Sequence, residues 1–378
     1  MEAGQLFARS IDILKAYQSP TGAFPAAPDY PPYNYAWLRD GTFSARALDL
    51  VGEREAAAGF YRFGARTIIA HGYKVERAMA AVTRGQPIGD ATCLHTRYTL
   101  AGEEGREPWG NFQLDGYGTY LWGLAAHLRA GGPWEDIYRR AVDLVVPYLT
   151  GLWQHPCLDC WEEYGDYRHP STLAAIYGGL QAILPWLEDE NRKTGFHDAG
   201  REPEREQNPG RLVLKVEDVL ERLPELASSE FIRDGHWVKF AGQDAVDANL
   251  LWLGVPFGLC SLDDPVFRET VARIATELCS GGVKRYAADT YYGGGQWLLL
   301  TAWLAWYYRL KGEEAPAREL LAWVEARADT NGFLPEQVPE NLTSEAHYHY
   351  WLERWGPIAN PLLWSHAMYI IAFKGIAI

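Results

Sequence analysis

Polar, aromatic-rich stretches precede every second helix that the sequence predicts, and this alternation limits the possible folds more than any other feature. Apolar residues at a 3.6-residue period, together with helix-stop signals, indicate an all-α chain with almost no alternating strands. The predicted helices span residues 4–16, 40–51, 53–70, 115–131, 134–150, 171–187, 212–223, 246–254, 266–279, 296–311, 315–328 and 361–374. The polar stretches are YNYAWLRDG (33–41), WGNFQLDG (109–116), LDCWEEYGDY (158–167), HWVKFAGQDAVD (236–247), VKRYAADTYYGGGQW (283–297) and LPEQV (334–338).

A ring of six helical hairpins explains this alternation, whereas a linear bundle does not. In such a ring, the stretches that lead into the six inner helices emerge at one end and converge on a single cleft. We therefore predict one (α/α)6 barrel domain over residues 1–378, closed by pairing of helices 4–16 and 361–374. The segment 188–211 is charged and carries Pro and Gly but few large apolar residues, so it is predicted to be an exposed loop within that domain.

Composition excludes several classes of function. The net charge of −14 argues against nucleic acid or an anionic membrane as a partner, because both would bind a basic face. No apolar run reaches the roughly 20 residues that span a bilayer and no signal-peptide pattern occurs, so a cytoplasmic location is expected. Five cysteines, an odd number, fit reduced thiols, and the lone CxxC of Cys157 and Cys160 favours structural or incidental thiols over a zinc or redox site.

The chain is rich in large aromatic residues, with 16 Trp and 22 Tyr. Sugar rings present apolar C–H faces that stack on flat aromatic side chains, so this composition is compatible with a neutral carbohydrate ligand. For any single tryptophan, a place in the core is still the better prediction.

Three glutamates are candidates for hydrolysis of an acetal, which needs a carboxylic acid to protonate the leaving oxygen and a second carboxylate to act on water or on the anomeric carbon. Glu162 and Glu163 in WEEY are adjacent, so at most one is the acid, and apolar neighbours would keep it protonated. Glu336 in LPEQV lies beside Gln337, which could help to hold a water molecule. The alternatives are two surface glutamates at a helix N-terminus and an exposed loop glutamate.

Two arginine and aspartate pairs could recognise sugar hydroxyls. Arg39 with Asp40, and Arg285 with Asp289, combine a donor with an acceptor, although structural ion pairs are an equally good interpretation. The glycines of 293–295 lack a phosphate-loop pattern and indicate a tight turn that lets a sugar approach closely. The histidines show no HExxH motif, and His95 and His366 are predicted to be structural.

In their order along the chain, the motifs WLRDG, QLDG, WEE, RYAADTYYGGGQW, EQ and WSHA resemble the glucoamylase family, glycoside hydrolase family 15. The resemblance covers nearly the whole chain, from residue 19 to residue 370. It implies an (α/α)6 barrel that releases β-glucose from the non-reducing ends of α-glucans with inversion, without a cofactor or metal. Its partner would be a small oligosaccharide, and the oligomeric state stays open.

The same resemblance assigns roles by position. Glu162 would be the general acid and Glu336 the general base, with carboxyl groups roughly 6.5–9.5 Å apart, as inversion requires. Arg39, Asp40 and Arg285 would hold the non-reducing glucose and make the enzyme strictly exo-acting. The remaining substrate-binding positions are Trp37, Gln113, Asp115, Trp161, Glu163, Asp289, Trp297, Gln337 and Trp364.

The sequence departs from the family in ways that leave the substrate open. It shows neither the N-terminal β-sandwich of many bacterial members nor a starch-binding module. An insertion, SEAHYHYWLERWG (344–356), lies between EQ and WSHA. Its aromatic side chains are expected to cover the acceptor side of the cleft, the alternative being packing against the outer rim of the barrel; they are Tyr348, Tyr350, Trp351 and Trp355.

Isomaltose with isomalto-oligosaccharides, and maltose with maltodextrins, are the leading substrate candidates, and trehalose is the third because the family includes trehalases. A sugar isomerase or epimerase is disfavoured, since such enzymes rely on paired histidines that this chain lacks. A sugar-binding protein without catalysis is disfavoured because both glutamates are present.

Overall fold

The computed structural model describes residues 3–194 and 209–375, which are mostly helical. The α-helices are α1 (Ala3–Tyr17), α2 (Leu38–Leu50), α3 (Arg54–Ala70), α4 (Tyr73–Thr83), α5 (Asp115–Arg129), α6 (Asp136–Leu152), α7 (Pro170–Thr194), α8 (Pro209–Phe231), α9 (Pro265–Arg273), α10 (Leu298–Leu310), α11 (Glu314–Glu325), α12 (Glu345–Trp355) and α13 (Leu363–Lys374). The two-residue strands are β1 (Ala36–Trp37), β2 (Arg97–Tyr98), β3 (Ile232–Arg233), β4 (His236–Trp237), β5 (Cys279–Ser280), β6 (Gly282–Val283), β7 (Gln296–Trp297) and β8 (Gln337–Val338).

Six inner segments form a closed ring. Helices α2, α5 and α7, the 3₁₀-helix Ala248–Leu253, and helices α10 and α13 each contact the next, and α13 returns to α2. Outside them lie α1, α3, α6, α8, α9 and α11, and α1 packs on α13 as expected. The predicted (α/α)6 barrel is confirmed, and each polar stretch leads into an inner segment.

Aromatic side chains from the inner segments fill the centre of the ring. The Phe43 ring of α2 lies 4.9 Å from Trp303 of α10 and 5.6 Å from Trp364 of α13, measured between centroids. Trp252 of the 3₁₀-helix stacks on Trp303 at 5.4 Å, and Trp122 of α5 contacts Phe43 at 5.7 Å. We call these five residues the aromatic plug. Because it occupies the axis of the barrel, the cleft at one end has a floor.

The sequence-based boundaries are wrong at several places. The predicted loop 188–211 is shorter, because α7 continues to Thr194 and α8 begins at Pro209; its remainder, 195–208, lies outside the described residues. Glu, Lys and Arg are good helix formers, so a charged composition does not by itself end a helix. The predicted helix 246–254 is the 3₁₀-helix, and 266–279 is α9 followed by a π-helical turn, Ile274–Leu278.

Two helices were not predicted. The buried face of α4 carries Lys74 and the small residues Ala78 and Ala81 beside Val75, so few large apolar residues indicate this helix in the sequence. Helix α12 lies within the insertion 344–356, begins at the N-cap Ser344 and has no buried residue. In residues 3–194 and 209–375, no helix is long and apolar enough to cross a membrane.

Two glycines allow the backbones of α5 and α7 to touch. A Cβ atom on Gly118 would lie 2.4 Å from the carbonyl oxygen of Ala175, and one on Gly179 would lie 2.2 Å from the carbonyl oxygen of Gly118. Real Cβ atoms do not approach backbone this closely, so the inner ring depends on glycine here.

We expect Gly179→Ala to lower the free energy of unfolding by about 1–3 kcal/mol, because overpacking would push two inner helices apart. Chemical denaturation measures it. Gly4→Ala is the matched control: a Cβ there meets nothing within 4 Å, and alanine favours the helix, so its free energy of unfolding should stay level or rise. Equal effects of the two substitutions would contradict the packing argument.

Candidate active site

Five of the six polar stretches contribute side chains to one cleft at the end of the barrel, and the stretch 236–247 does not. Of the fourteen predicted site residues, ten line this cleft, namely Trp37, Arg39, Asp40, Trp161, Glu162, Glu163, Arg285, Trp297, Glu336 and Trp364. The other four, Gln113, Asp115, Asp289 and Gln337, are buried beside it. Four further residues line the cleft that the sequence did not predict as site residues, namely Tyr33, Trp109, Cys160 and Tyr291.

Glu162 projects into the cleft from a tight turn. Its φ of 67° is left-handed, which is uncommon for a residue with a side chain and allows both Glu162 and Glu163 to reach the cleft wall. The indole N–H of Trp37 donates to Glu162 Oε1 at 2.7 Å. Burial raises the pKa of the Glu162 carboxyl, and the charge of Arg39 and the Trp37 hydrogen bond oppose that rise.

Glu336 is almost fully buried, at 2% exposure. Its backbone N–H donates to the carbonyl of Ala359 at 2.9 Å, and strand β8, which follows it directly, pairs with β7. Burial raises the pKa of the Glu336 carboxyl to about 8, opposed by the charge of Arg285 and by hydrogen bonds from Gln337 and Tyr33. The Tyr33 hydroxyl is also 2.6 Å from that of Tyr291.

His366 holds the segment that carries Glu336. Its Nε2 accepts from the backbone N–H of Leu334 at 3.1 Å, and its Nδ1 lies 2.9 Å from the Ser10 hydroxyl of α1. Burial lowers the pKa of His366 to about 3, so the ring stays neutral and can accept this bond. His95 is likewise buried and lies 3.2 Å from the Asp90 carbonyl. Both histidines are structural, as predicted.

Arg39 and Asp40, in the first turn of α2, form the floor of the cleft with Trp364. Arg39 donates to Gln113 at 3.1 Å and to Asp115 at 3.0 Å, and its Nε lies 3.2 Å from the Asp40 carboxylate. Its guanidinium also lies 5.1 Å from the centre of the Trp364 ring. Burial raises the pKa of Asp40 to about 6, although Arg39 opposes the rise. Gln113 and Asp115 therefore fix Arg39 from behind.

Arg285 forms a second cationic corner. It makes two hydrogen bonds to the fully buried Asp289, at 2.8 and 2.5 Å, and a third to Glu163 at 3.2 Å. The Tyr286 hydroxyl donates to the other Glu163 oxygen at 2.6 Å. The guanidinium lies 5.4 Å from the Trp297 ring, so planar groups enclose it. Asp289 thus orients Arg285 and leaves Glu163 on the cleft wall.

Helix α12 contributes to the wall of the cleft. Trp351 and Trp355 line the cleft, and Trp355 stacks on Trp109 with centroids 6.2 Å apart and planes at 21°. Tyr350 on the same helix is 48% exposed and does not line the cleft. Two of the four aromatic residues predicted to cover the cleft thus contribute to its wall.

The glycines at 293–295 allow close packing against neighbouring backbone. A Cβ on Gly294 would lie 2.2 Å from the Asp289 carbonyl, and one on Gly295 would lie 2.3 Å from the Val338 carbonyl of β8. The tight turn is as predicted, but the close approach is to neighbouring backbone and none of the three lines the cleft. The turn carries Tyr291 on one side and Trp297 on the other.

Cys157 and Cys160 are buried free thiols, and burial raises both pKa values. Cys160 lies at the cleft and its sulfur accepts from the Asn249 amide at 3.4 Å. Within the described ranges, no group of three or more His, Cys, Asp or Glu side chains is placed to hold a metal ion.

A helical barrel whose cleft combines the half-buried Glu162, the buried Glu336, two fixed arginines and several tryptophans is the arrangement of a carbohydrate-cleaving enzyme. The comparisons agree: the chain belongs to Glycosyl hydrolases family 15, whose family model matches residues 2–327. It is therefore a glycoside hydrolase.

Among relatives, the isomaltose glucohydrolase of Kribbella flavida is 39% identical over 97% of this chain and 91% of its own length. A trehalase of Thermoplasma volcanium is 25% identical over 88% of this chain, which spans 54% of that enzyme. A glycosidase solved in complex with glucose has 38% identity and a TM-score of 0.88 over 99% of this chain and 96% of that one. The Saccharomycopsis fibuligera glucoamylase shares the fold, with a TM-score of 0.71 at 14% identity and coverage of 99% and 95%.

Burial of Glu336 should cost stability at alkaline pH. A carboxyl whose pKa is higher in the folded chain stabilises the fold while it is protonated, and this contribution is lost as the pH rises from about 4.5 to about 8. Glu336→Gln should therefore raise the melting temperature at pH 9 by at least about 2 °C and change it little at pH 4.

Differential scanning calorimetry at the two pH values measures this difference. Glu319→Gln, at an exposed position of α11, is the control and should shift both melting temperatures equally. A Glu336→Gln variant that is less stable than the parent at pH 9 would contradict the assigned cost of burial.

Proposed function

We propose that this enzyme is an inverting, exo-acting α-glucoside hydrolase that releases β-D-glucose from isomaltose and short isomalto-oligosaccharides. The observation that carries the proposal is the cleft itself, which Glu162 and Glu336 line together with two fixed arginines and several tryptophans. The isomaltose glucohydrolase similarity supports the α-1,6 linkage over the α-1,4 linkage of maltose and maltodextrins. A trehalase is the second candidate, because trehalases are also similar to this chain, although at lower identity than the isomaltose glucohydrolase.

In the proposed reaction, Glu162 donates its proton to the glycosidic oxygen as the bond from that oxygen to the anomeric carbon breaks. Glu336 takes a proton from a water molecule whose oxygen bonds to the opposite face of the same carbon. Burial raises the pKa of Glu162, which favours the protonated form that the acid requires. Burial raises the pKa of Glu336 to about 8, and the charge of Arg285 opposes that rise and so favours the ionised form that the base requires.

The exo mode follows from the floor. Because the aromatic plug, of which Trp364 lines the cleft, closes the axis of the barrel, a chain end can enter the cleft but a chain cannot pass through it. Arg39 and Asp40 at the floor, and Arg285 at the side, offer donors and acceptors to the hydroxyls of the terminal glucose. Gln113 and Asp115 orient Arg39, and Asp289 orients Arg285, so these three residues affect substrate binding without lining the cleft.

The acceptor side is restricted in this proposal. The stacked pair of Trp109 and Trp355 gives one further sugar an aromatic contact and leaves little space for a longer chain. A cytoplasmic location, supported by five free cysteines, is part of the same proposal and fits short substrates.

Glu162→Ala and Glu336→Ala should each lower kcat on isomaltose by about 10²–10⁴-fold, because each removes one proton-transfer group. Glucose release measures the rate, and NMR of the first product should show the β-anomer. Glu340→Ala, which removes a partly exposed loop glutamate paired with Arg327, is the control and should keep parental turnover. Near-parental turnover of either cleft variant, or α-glucose as first product, would reject the assigned role.

The aromatic wall predicts a preference for short substrates. We expect kcat/KM to fall or stay level from isomaltose to longer isomalto-oligosaccharides, and Trp355→Ala to lower it for isomaltose and flatten the dependence on length. Tyr350→Ala, on the same helix but away from the cleft, should leave the dependence unchanged. A steep rise with chain length in both the isomalto and malto series would show that α12 does not close the acceptor side.

A further inference from the structure

The stretch 236–247 is the one polar stretch of the six that supplies no predicted site residue, and none of its residues, all of which are described, lines the cleft. It nevertheless carries two buried charges, Lys239 at 5% exposure and Asp247 at 0%. These charges lie directly behind Trp161 and Glu163, on the wall that carries Glu162.

Lys239 contacts three carboxylates with one ammonium group. Its Nζ lies 2.5 Å from Asp247 Oδ2, 3.4 Å from Asp159 Oδ2 and 4.0 Å from Glu163 Oε2. The same nitrogen lies 3.7 Å from the centre of the Tyr286 ring. Asp159 and Asp247 are both fully buried, so their charges depend on this ammonium for compensation.

Asp159 and Asp247 in turn hold the turn that contains Glu162. Asp159 Oδ1 accepts from the backbone N–H of Trp161 at 2.9 Å and of Glu163 at 3.0 Å. The Asp159 carbonyl accepts from the backbone N–H of Glu162 itself at 2.9 Å. Both Asp247 oxygens lie 3.1 Å from the indole nitrogen of Trp161, which donates to them.

The backbone of Glu162 needs this support. A left-handed φ at a residue with a side chain is strained and persists only where the surroundings fix it. Without Lys239, two buried aspartates would be left without their counter-charge and would have to take up protons or move, so the turn would lose its fixed geometry. A displacement of about 1 Å at a catalytic group costs on the order of 10²-fold in rate.

We propose that Lys239 is a positioning residue for the general acid: its ammonium fixes the Asp159 and Asp247 carboxylates, and these fix the turn that aims Glu162 at the glycosidic oxygen. The proposal rests on the acid role of Glu162 given above. It concerns a residue that does not line the cleft and acts through its two aspartates.

The test compares two substrates that differ in their need for an acid. Hydrolysis of isomaltose requires protonation of a sugar oxygen, whereas fluoride leaves α-D-glucosyl fluoride with little help. We expect Lys239→Met to lower kcat on isomaltose by on the order of 10²-fold, with a far smaller change in kcat on the fluoride and in KM. If Lys239→Met fails to fold, the variant Lys239→Met with Asp247→Asn removes both members of the pair and should show the same selectivity.

Lys74→Met is the matched control, because Lys74 is also buried and paired, 2.5 Å from Glu104, but lies away from the cleft. It should change the rates on both substrates by one common factor. Glu162→Ala tests the premise and should also spare the fluoride. If Glu162→Ala discriminates and Lys239→Met does not, the positioning role is overturned; if Glu162→Ala does not discriminate, the acid assignment falls, and the role of Lys239 with it.

Discussion

The aromatic plug is the constraint on which the rest of the structure depends. Phe43, Trp122, Trp252, Trp303 and Trp364 come from five of the six inner segments, and their contacts hold the ring at one diameter. Large rigid rings fill the axis with few rotatable bonds, which suits a packed centre. Because the plug turns a ring into a cup, the polar stretches at one end enclose a site with a bottom.

Buried charges around such a cleft need counter-ions, and in this structure the counter-ions lie behind the residues that line the cleft. Each guanidinium that faces the cleft has a fully buried aspartate behind it, Asp115 for Arg39 and Asp289 for Arg285. At Lys239 the signs are exchanged, because here a buried cation compensates the charges of buried aspartates. The main effect of these pairs is to orient the side chains, since a buried ion pair contributes little net stability but leaves few alternative geometries.

Much of the fold and part of the site could be predicted from local sequence. The barrel follows from helix periodicity and the order of the polar stretches, and Glu162, Glu336, Arg39 and Arg285 stand out because they lie in those stretches. Contacts between residues that are far apart in the sequence could not be predicted. The aromatic residues of 344–356 indicated a wall, yet not that it is a helix, and nothing local connects Lys239 with Asp159, eighty residues earlier. Tyr33 and Trp109 were not predicted to line the cleft, because aromatic residues near charged ones are common and most aromatic residues belong to the core.

The pairing of α1 with α13 has a consequence for how the chain reaches this structure. Leu6, Ile13 and Leu14 of α1 are fully or almost fully buried, and their helix packs on α13 and α11. Contacts between such distant parts of a chain form slowly, since a large loop must close first. During synthesis, the apolar face of α1 that packs on α13 therefore stays uncovered until α13 has left the ribosome.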